Sequence, residues 1–247
     1  MSIQSNNKGL YLYGIIPKKN KIKLAQLGMN KEKIFTIEYK DLLAIVSESP
    51  YKVYDLSEEN LLIHEHILRK IMEKSDVLPF NFGNVLKSKK ELFKFLDGTY
   101  IHMLKMLRKV SDKIEVGLKV FIKNEYFNDE IETDEIKKFK KQIEGMNEKQ
   151  AHLIKVDLGK MVEKSLEQKR KEYEEKIFGF LKQYCKYAKA NDCSTVKMIL
   201  NAAYLVDKDK KAIFDEKVNE ICSKYDEKFN FKYSGPWPPY NFIEMPR

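Results

Sequence analysis

Apolar and polar residues near the start of the chain alternate with the period of a half-buried β-strand. The pattern predicts strands at Gly9–Ile16, Lys33–Tyr39 and Leu42–Ser47. Asp41 is a turn residue between the last two stretches, so we expect them to form a hairpin. The chain therefore opens with a β-rich, antiparallel structure.

Two stretches with helical spacing of apolar residues follow, and each begins at a serine that can cap a helix. The first helix is expected from Ser57 to about Ser75. The second is expected from Ser88, which forms a capping box with Glu91, to about Val110. The expected buried faces are Leu61, His64, Leu68 and Ile71 in the first helix, and Leu92, Phe95, Leu96, Thr99, Met103, Leu107 and Val110 in the second.

The second half of the chain predicts a further set of strands and helices. The clearest strand is Lys113–Lys123, in which apolar residues occupy every second position. A helix is expected next from about Glu148 to Lys189, and because of its length part of it should either project or pair as a hairpin with residues 134–146. The later elements expected are short strands at Ser194–Leu200 and Ala203–Val206 joined at Asn201, a helix at Asp207–Tyr225 that buries Ile213, Phe214, Val218 and Ile221, and a strand at Lys228–Tyr233. This β-α-β-β-α-β order is that of ferredoxin-like domains.

The pattern as a whole predicts an α+β protein with two domains. Residues 1–111 form the expected N-terminal α+β domain, and residues 112–233 form a ferredoxin-like C-terminal domain with a long helix or helical hairpin. Residues 234–247 form a separate arm that is rich in proline and aromatic residues.

Two segments mix aromatic residues with proline and glycine, namely Val77–Gly83 and Gly235–Phe242. Pro79 favours an edge strand or an extended chain in the first segment, and three prolines favour an extended arm in the second. The aromatic residues of both segments need cover from water. A tethered segment has a high effective concentration at its own domain, so we expect the arm to dock there, with a partner as the alternative.

Composition indicates a globular protein with a heavily charged surface. The chain has 247 residues, of which 43% are hydrophobic and 34% are charged, with a net charge of +9. Most charges alternate in sign, which is typical of solvated helix faces. The N-terminal residues are polar and lack the apolar core of a signal peptide, so we expect a cytoplasmic protein. Three widely spaced cysteines favour free thiols over disulfides or a zinc site.

Catalytic motifs are absent from the sequence. His64 and His66 flank Glu65, but a zincin helix needs a second histidine at position 68, where the chain has Leu68. His64 is instead expected to be a hydrogen-bonded core residue. The sequence also contains no nucleophile elbow, phosphate loop or dinucleotide fingerprint. We therefore expect no enzymatic activity, no metal and no cofactor.

Nucleic-acid binding is the alternative that the positive charge and the ferredoxin-like order suggest. An RNA-recognition module carries stacking aromatics on its central strands. The nearest stretch, Glu115–Phe121, has Leu118 where such an aromatic belongs. Packing within a strand is therefore the favoured interpretation, and a nucleic-acid partner is not expected.

Four segments of the chain resemble the gas vesicle protein GvpL/GvpF family. They are Leu10–Ile16 (LYLYGII), Val77–Gly83 (VLPFNFG), Glu115–Val120 (EVGLKV) followed by Asn201–Asp207 (NAAYLVD), and Gly235–Phe242 (GPWPPYNF). They occur in the family's order and span nearly the whole chain. Asn81 stands where the family usually has arginine, and the family's segment that opens its long helix is only partly matched, at Gly145 and Ala151–Leu153. The motifs do not separate GvpF from GvpL.

This resemblance implies a non-enzymatic accessory protein of gas vesicle formation with two domains, the second a modified ferredoxin fold. It implies binding to the hydrophobic shell subunit GvpA and to other accessory proteins during nucleation or assembly, and a location in the cytoplasm and at gas vesicles. A binder with a charged exterior could keep the apolar shell subunit from aggregating. The residues expected to form a partner-binding or motif surface are Trp237, Tyr240 and Phe242, and then Pro79, Phe80 and Phe82.

Overall fold

The computed structural model describes residues 8–20, 22–143, 146 and 148–244. The polar residues before Lys8, and Gly145, lie outside the described residues. The chain forms two compact units, one of Met1–Glu115 with Pro236–Arg247 and the other of Val116–Gly235. The predicted boundaries were 111/112 and 233/234, so the observed divisions lie a few residues further along the chain.

The first unit is built on an antiparallel sheet. Its strands are β1 (Lys8–Pro17), β2 (Ile34–Tyr39), β3 (Leu42–Pro50), β4 (Leu78–Pro79) and β5 (Val85–Leu86). The strand order is β2-β3-β1-β4, and β5 also pairs with β1. The first three strands confirm the prediction from alternation, and β4 confirms that the proline-containing segment pairs at the sheet's margin.

Two helices complete the first unit, α1 (Glu58–Met72) and α2 (Lys89–Val110). Both predicted caps are present, because the Ser57 hydroxyl accepts from the backbone N–H of Asn60 and the Ser88 hydroxyl accepts from that of Glu91. The Glu91 carboxylate accepts from the backbone N–H of Lys87 at 2.5 Å, one residue before the predicted position.

The buried faces of these helices differ from the predicted faces at three positions, namely Leu61, Ile67 and Phe95. In α1 the buried residues are His64, Ile67, Leu68 and Ile71. Leu61 is 41% exposed, because the buried stripe begins only at His64. In α2 the predicted face is buried except for Phe95, which is half-buried.

The second unit contains the remaining strands and helices. The strands are β6 (Lys113–Ile122), β7 (Tyr187–Ala190), β8 (Met198–Asp207) and β9 (Phe229–Trp237), in the sheet order β7-β8-β6-β9. The helices are α3 (Phe127–Ile131), α4 (Asp134–Ile143), α5 (Glu148–Tyr173), α6 (Gly179–Lys182) and α7 (Lys211–Tyr225), and a π-helical turn at Glu174–Phe178 joins α5 to α6. The predicted pairing of the long helix with residues 134–146 is confirmed for the described residues, since α4 packs on α5.

Three predictions in this unit were wrong. The long helix does not continue to Lys189, because Tyr187–Ala190 pairs antiparallel with β8. Asn201 does not divide β8, since its side-chain amide donates to the backbone oxygen of Asp192 at 2.9 Å and its own backbone oxygen is also paired. Ile213 in α7 is 53% exposed instead of buried. In the first two cases tertiary pairing decided a choice that local propensity left open.

A buried carboxylate ties three elements of the second unit together. Glu130 of α3 is 7% exposed and accepts from Lys228 at 2.6 Å and from the Tyr173 hydroxyl at 3.1 Å. Lys169 lies 3.3 Å from the same carboxylate. Burial alone raises the pKa of Glu130, but the hydrogen bond from Lys228 and the charge of Lys169 outweigh it, so the pKa lies below its ordinary value.

The close approach of β4 to β1 depends on Gly14. A Cβ at this position would lie 2.7 Å from Cγ2 of Val77 and 3.0 Å from the backbone oxygen of Leu78. The register of β1 against β3 also shifts between Leu12 and Gly14. A glycine is therefore required where the backbone of the 77–83 segment meets the central strand.

We expect Gly14→Ala to lower the free energy of unfolding by about 1–3 kcal/mol, because the added methyl group forces β4 away from β1. Urea denaturation of the full chain measures this change. Gly98→Ala is the matched control, since nothing lies within 4 Å of a Cβ at Gly98 on the exposed face of α2. There alanine is expected to stabilise by about 0.5–1 kcal/mol. Equal changes in the free energy of unfolding for Gly14→Ala and Gly98→Ala would contradict the close approach of β4 to β1.

Candidate partner-binding surface

The Val77–Gly83 segment lies along the central strand of the first unit. Pro79 pairs with Gly14, and the backbone N–H of Phe80 donates to the Tyr13 carbonyl at 2.9 Å. Pro79 and Phe80 are both buried, and the Phe80 ring lies 5.7 Å from that of Phe95. These two predicted surface residues are therefore part of the core.

His64 joins this segment to α1 and β1 by hydrogen bonds that define its tautomer. The Phe80 carbonyl can only accept, so the Nε2–H of His64 donates to it at 3.0 Å. The unprotonated Nδ1 then accepts from the Tyr11 hydroxyl at 2.9 Å, and that hydroxyl accepts from the backbone N–H of Gly83 at 3.0 Å. His64 is thus a hydrogen-bonded core residue, as predicted.

The C-terminal arm extends this hydrogen-bond chain. The Tyr240 hydroxyl lies 3.2 Å from Nε2 of His64 and 3.4 Å from the Phe80 carbonyl. Phe242 is only 4% exposed. The arm residues belong to the first compact unit. One hydrogen-bond network therefore joins α1, the central strand β1, the 77–83 segment and the arm.

A buried carboxylate also binds the arm. Glu115 is 4% exposed, and its two oxygens accept from the backbone N–H of Asn241 at 2.9 Å and from its side-chain amide at 2.6 Å. A charged acceptor makes these bonds stronger than bonds between neutral groups. Glu115 therefore fixes both the backbone and the side chain of Asn241.

Trp237 lies half-buried against α1. The guanidinium of Arg69 lies 4.7 Å from the centre of the indole ring, and Arg69 also pairs with Glu65 at 2.7 Å. The prediction that the arm docks on its own chain is confirmed. The expected location was wrong, because the arm docks within the first unit and not on the domain that precedes it. Its anchors, His64 and Glu115, are distant in sequence and carry no local signal.

The side chains of His64, Tyr11 and Tyr240 are uncharged near neutral pH. Burial lowers the pKa of His64 from 6.5 to about 4, with a smaller opposing effect from the hydrogen bond to Phe80. Burial also raises the pKa values of the neighbouring Tyr11 and Tyr240 hydroxyls above their ordinary range. The groups that face His64 are therefore uncharged, and the arrangement is suited to holding segments together.

An open apolar groove lies beside this network, and we call it the Tyr51 groove. It has a volume of about 590 Å³ and is lined by Tyr51, Lys52, Val53, Tyr54, Leu56, Phe82, Gly83 and Val85. Val53 is 93% exposed, Leu56 is 76% exposed and Tyr51 is 41% exposed. The floor is rigid, because the Tyr54 ring packs edge-on against both Tyr11 and Phe82.

The groove contains one predicted site residue and several that sequence reasoning missed. Phe82 was predicted, and it is half-buried in the groove wall. Tyr51, Val53 and Leu56 were missed. The available signal was the stretch YKVYDL, which carries large apolar residues between a strand and a helix cap without the period of either element.

Three further findings concern residues or side-chain groups considered for other kinds of ligand. Leu118, at the position of an RNA-stacking aromatic, is fully buried in β6. No group of three or more histidine, cysteine, aspartate or glutamate side chains in the described part of the chain could hold a metal ion. Within the same residues, no helix combines the length and the apolar character that crossing a membrane requires.

We expect the stability of the protein to fall by about 2 kcal/mol between about pH 7.5 and about pH 5 through His64 alone. The unfolded chain takes up a proton at His64 near pH 6.5, whereas the folded chain does so only near pH 4. Stability is therefore lost as the pH decreases through this window. Urea denaturation across this pH window should show a smaller decrease in the free energy of unfolding for His64→Gln than for the unmodified chain.

His66→Gln is the control, because His66 is exposed on the same helix and its removal should leave the pH dependence unchanged. Should His64→Gln not fold, an NMR titration of the imidazole signals of the unmodified chain provides the same information. A His64 imidazole that takes up its proton near pH 6.5, as in the unfolded chain, would contradict the buried neutral assignment.

We expect Glu115→Gln to loosen the arm, because an amide group then faces the two Asn241 donors in place of a second carboxylate oxygen. Trp237 is the only tryptophan, so its fluorescence reports on the arm directly. The expected result is a red-shifted emission and greater quenching by acrylamide. Glu48→Gln, which removes an exposed pair with Lys8, should change neither. Unchanged quenching in Glu115→Gln would show that the clamp does not hold the arm.

Comparison with known proteins places this arrangement in a family. The sequence model described as "Gas vesicle synthesis protein GvpL/GvpF" matches residues 9–244. The chain is 26% identical to Gas vesicle protein F1 of Halobacterium salinarum, over 96% of this chain and 94% of that protein. It is 27% identical to Gas vesicle protein F of a Nostoc species, over 97% of this chain and 99% of that protein.

Solved structures agree with this assignment. The crystal structure of the gas vesicle protein GvpF from Anabaena sp. PCC7120 superimposes with a TM-score of 0.81 at 25% identity and covers 97% of this chain and 100% of that chain. The structure of GvpF from Microcystis aeruginosa, at 23% identity, has the same fold with a TM-score of 0.79 and covers 95% of this chain and 98% of that chain. With the family model matched along nearly the whole chain, the protein belongs to the GvpL/GvpF family of gas vesicle synthesis proteins.

Proposed function

We propose that this protein binds the hydrophobic shell subunit GvpA, and other accessory proteins, during the nucleation and assembly of gas vesicles. Membership of the GvpL/GvpF family supports a role in gas vesicle formation. The single observation that carries the finer proposal is the Tyr51 groove, an exposed apolar surface held on a rigid core. A shell subunit that lines a gas space must present apolar surface of its own before assembly.

The groove has the properties of a docking site for an apolar segment. Its exposed side chains, Val53 and Leu56, are large and apolar, and together they would leave water when a partner covers them. Its wall contains Phe82, whose ring packs 6.4 Å from Tyr11 and 5.9 Å from His64. A preformed apolar groove binds without a large cost of ordering.

The charged exterior gives the complex a way to remain soluble. Charged residues make up 34% of the whole chain, and many form exposed ion pairs such as Lys70–Glu73 and Lys217–Glu220. Covering the apolar face of a shell subunit with such a body would prevent its aggregation. The proposal includes this chaperone-like action and retention of the protein as a minor vesicle component. It also includes a location in the cytoplasm, at gas vesicles. We assign no catalytic role.

The proposal also covers the architecture of the second unit. Its element order from β6 to β9 is β-α-β-β-α-β, with the helices α3–α6 after the first strand and α7 after the third. This order supports a modified ferredoxin-like domain. The two central strands of its sheet are β8 and β6, with β7 paired on the outer side of β8 and β9 paired on the outer side of β6.

We expect Val53→Glu combined with Leu56→Glu to weaken association with the shell subunit about tenfold or more, because both substitutions place charge on the apolar contact. Both side chains are exposed, so the free energy of unfolding should change by less than about 0.5 kcal/mol per site. Co-purification of the two proteins under vesicle-forming conditions measures association.

Ile101→Glu is the matched control, since Ile101 is 62% exposed on α2 and does not line the groove. Its variant should bind as the unmodified protein does. Unimpaired binding by the double variant would remove the groove from the proposal, while no association of the unmodified protein would remove the shell subunit as partner. Normal vesicles in cells that lack the gene would refute the assembly role.

A further inference from the structure

The outer edge of the first unit's sheet is open. β2 is the last strand in the order β2-β3-β1-β4, and it pairs with β3 along Ile34–Tyr39. Among the described residues, the one further bridge on that side is Leu27–Lys33, just before the strand begins. Hydrogen-bonded and non-hydrogen-bonded pairs alternate along an antiparallel ladder, so every second residue of β2 directs its backbone N–H and C=O away from β3.

A cleft runs beside this open edge. It has a volume of about 400 Å³ and is lined by Ile22, Lys23, Leu24, Ile34, Phe35 and Thr36. The lining includes three consecutive residues of β2, which places the cleft along the strand's edge as well as its faces. It arises because residues 22–26 depart from β2 beyond the Leu27–Lys33 bridge.

The floor of the cleft is apolar and firmly supported. Ile22, Leu24 and Ile34 pack against the core cluster of the first unit, which includes Tyr13 and Met29. Residues 22–24 are held to the chain just after α1, because the Lys74 ammonium group donates to the Lys23 carbonyl at 3.1 Å. Phe35 remains 39% exposed and Leu27 remains 52% exposed at the same edge. The cleft therefore offers fixed apolar subsites next to unpaired backbone groups.

The charged residues beside the cleft include two lysines. Lys23 lines the cleft, and Lys33 directly precedes β2. In the part of the chain that the structure describes, neither of these two lysines forms an ion pair, whereas Lys18 is paired with Glu38. An incoming chain would therefore meet a positive field along the edge of β2.

We infer that the β2 edge binds an extended segment of a partner protein in which acidic and apolar residues alternate. The backbone of such a segment would extend the sheet, its apolar side chains would enter the cleft, and its carboxylates would face the lysines. A second copy of this chain fits poorly, because edge-to-edge pairing would bring two lysine-rich segments together. A nucleic acid would satisfy the charge but would leave the backbone groups of β2 unpaired.

This inference goes beyond the proposed function, because it concerns a surface separate from the Tyr51 groove and does not depend on the shell subunit. Lysines alone have a simpler role, which is to prevent edge strands from pairing with other chains. That role does not account for the apolar cleft or for the exposed Phe35 beside it. The test must therefore distinguish an edge whose lysines only prevent strand pairing from an edge that binds a partner strand.

The experiment uses the full chain and a short synthetic peptide that alternates glutamate and valine. Binding is followed by fluorescence anisotropy at low salt, with a lysine–valine peptide of the same length as the charge control. A third peptide carries N-methyl groups at alternate residues, so that its bonding edge has lost its N–H donors. The expected result is binding of the first peptide, with a loss of about tenfold or more for each of the other two.

Hydrogen exchange of the unmodified protein locates the site without any substitution. Addition of the glutamate–valine peptide should protect alternate backbone amides within Ile34–Tyr39. Phe35→Glu should weaken binding of that peptide about tenfold, and Ile101→Glu, again an exposed apolar position on α2, should not. The protection experiment keeps the inference testable even if the Phe35 variant folds poorly.

Several outcomes would overturn the inference. Equal binding of the N-methylated and unmethylated peptides would exclude strand addition. The absence of peptide binding at millimolar concentration would mean that the lysines only prevent strand pairing. Displacement of the peptide by a short single-stranded RNA, with no protection of β2 amides, would assign the surface to nucleic acid. Concentration-dependent dimers that block the peptide would assign it to a second copy. None of these outcomes bears on binding of the shell subunit at the Tyr51 groove.

Discussion

The first unit depends on a buried histidine that must stay neutral. His64 donates to the Phe80 carbonyl and accepts from the Tyr11 hydroxyl, so one side chain satisfies polar groups from a helix, a central strand and a proline-containing segment. A charged imidazole would lose the bond from Tyr11 and would carry an unpaired charge in the core. The neutral tautomer is therefore a condition for this packing, and burial itself maintains it by lowering the pKa of His64.

The aromatic motifs of this chain are mostly internal. Tyr240 reaches the His64–Phe80 pair, Glu115 binds Asn241, and Phe242 fills the core beside them. The proline-rich arm can take this course because it needs no backbone partners of a helix or a central strand. Its motif residues therefore maintain the structure, while the residues next to them at Val53 and Leu56 present the exposed apolar surface.

Sequence patterns predicted the fold best where the spacing of apolar residues was regular or where a capping residue marked the start of a helix. β1, β2, β3 and β6 follow from alternation, and α1 and α2 follow from serine caps with an apolar stripe. The pattern failed at Tyr187–Ala190, where residues compatible with a helix pair with β8 instead. It also failed at Asn201, where side-chain and backbone hydrogen bonds allow an asparagine to continue a strand. Pairing partners decided both cases, and a local window cannot contain them.

The sequence by itself determined the family, most elements and the need to cover the aromatic arm. Those properties depend on local spacing and on the cost of exposing aromatic rings to water. Only the tertiary structure decided that the arm belongs to the first unit, that Pro79, Phe80 and Phe242 are internal, and that the exposed apolar surface lies at Tyr51–Leu56. These decisions depend on groups far apart in the chain, such as His64 with Tyr240 and Glu115 with Asn241, whose distances are set when the whole core packs.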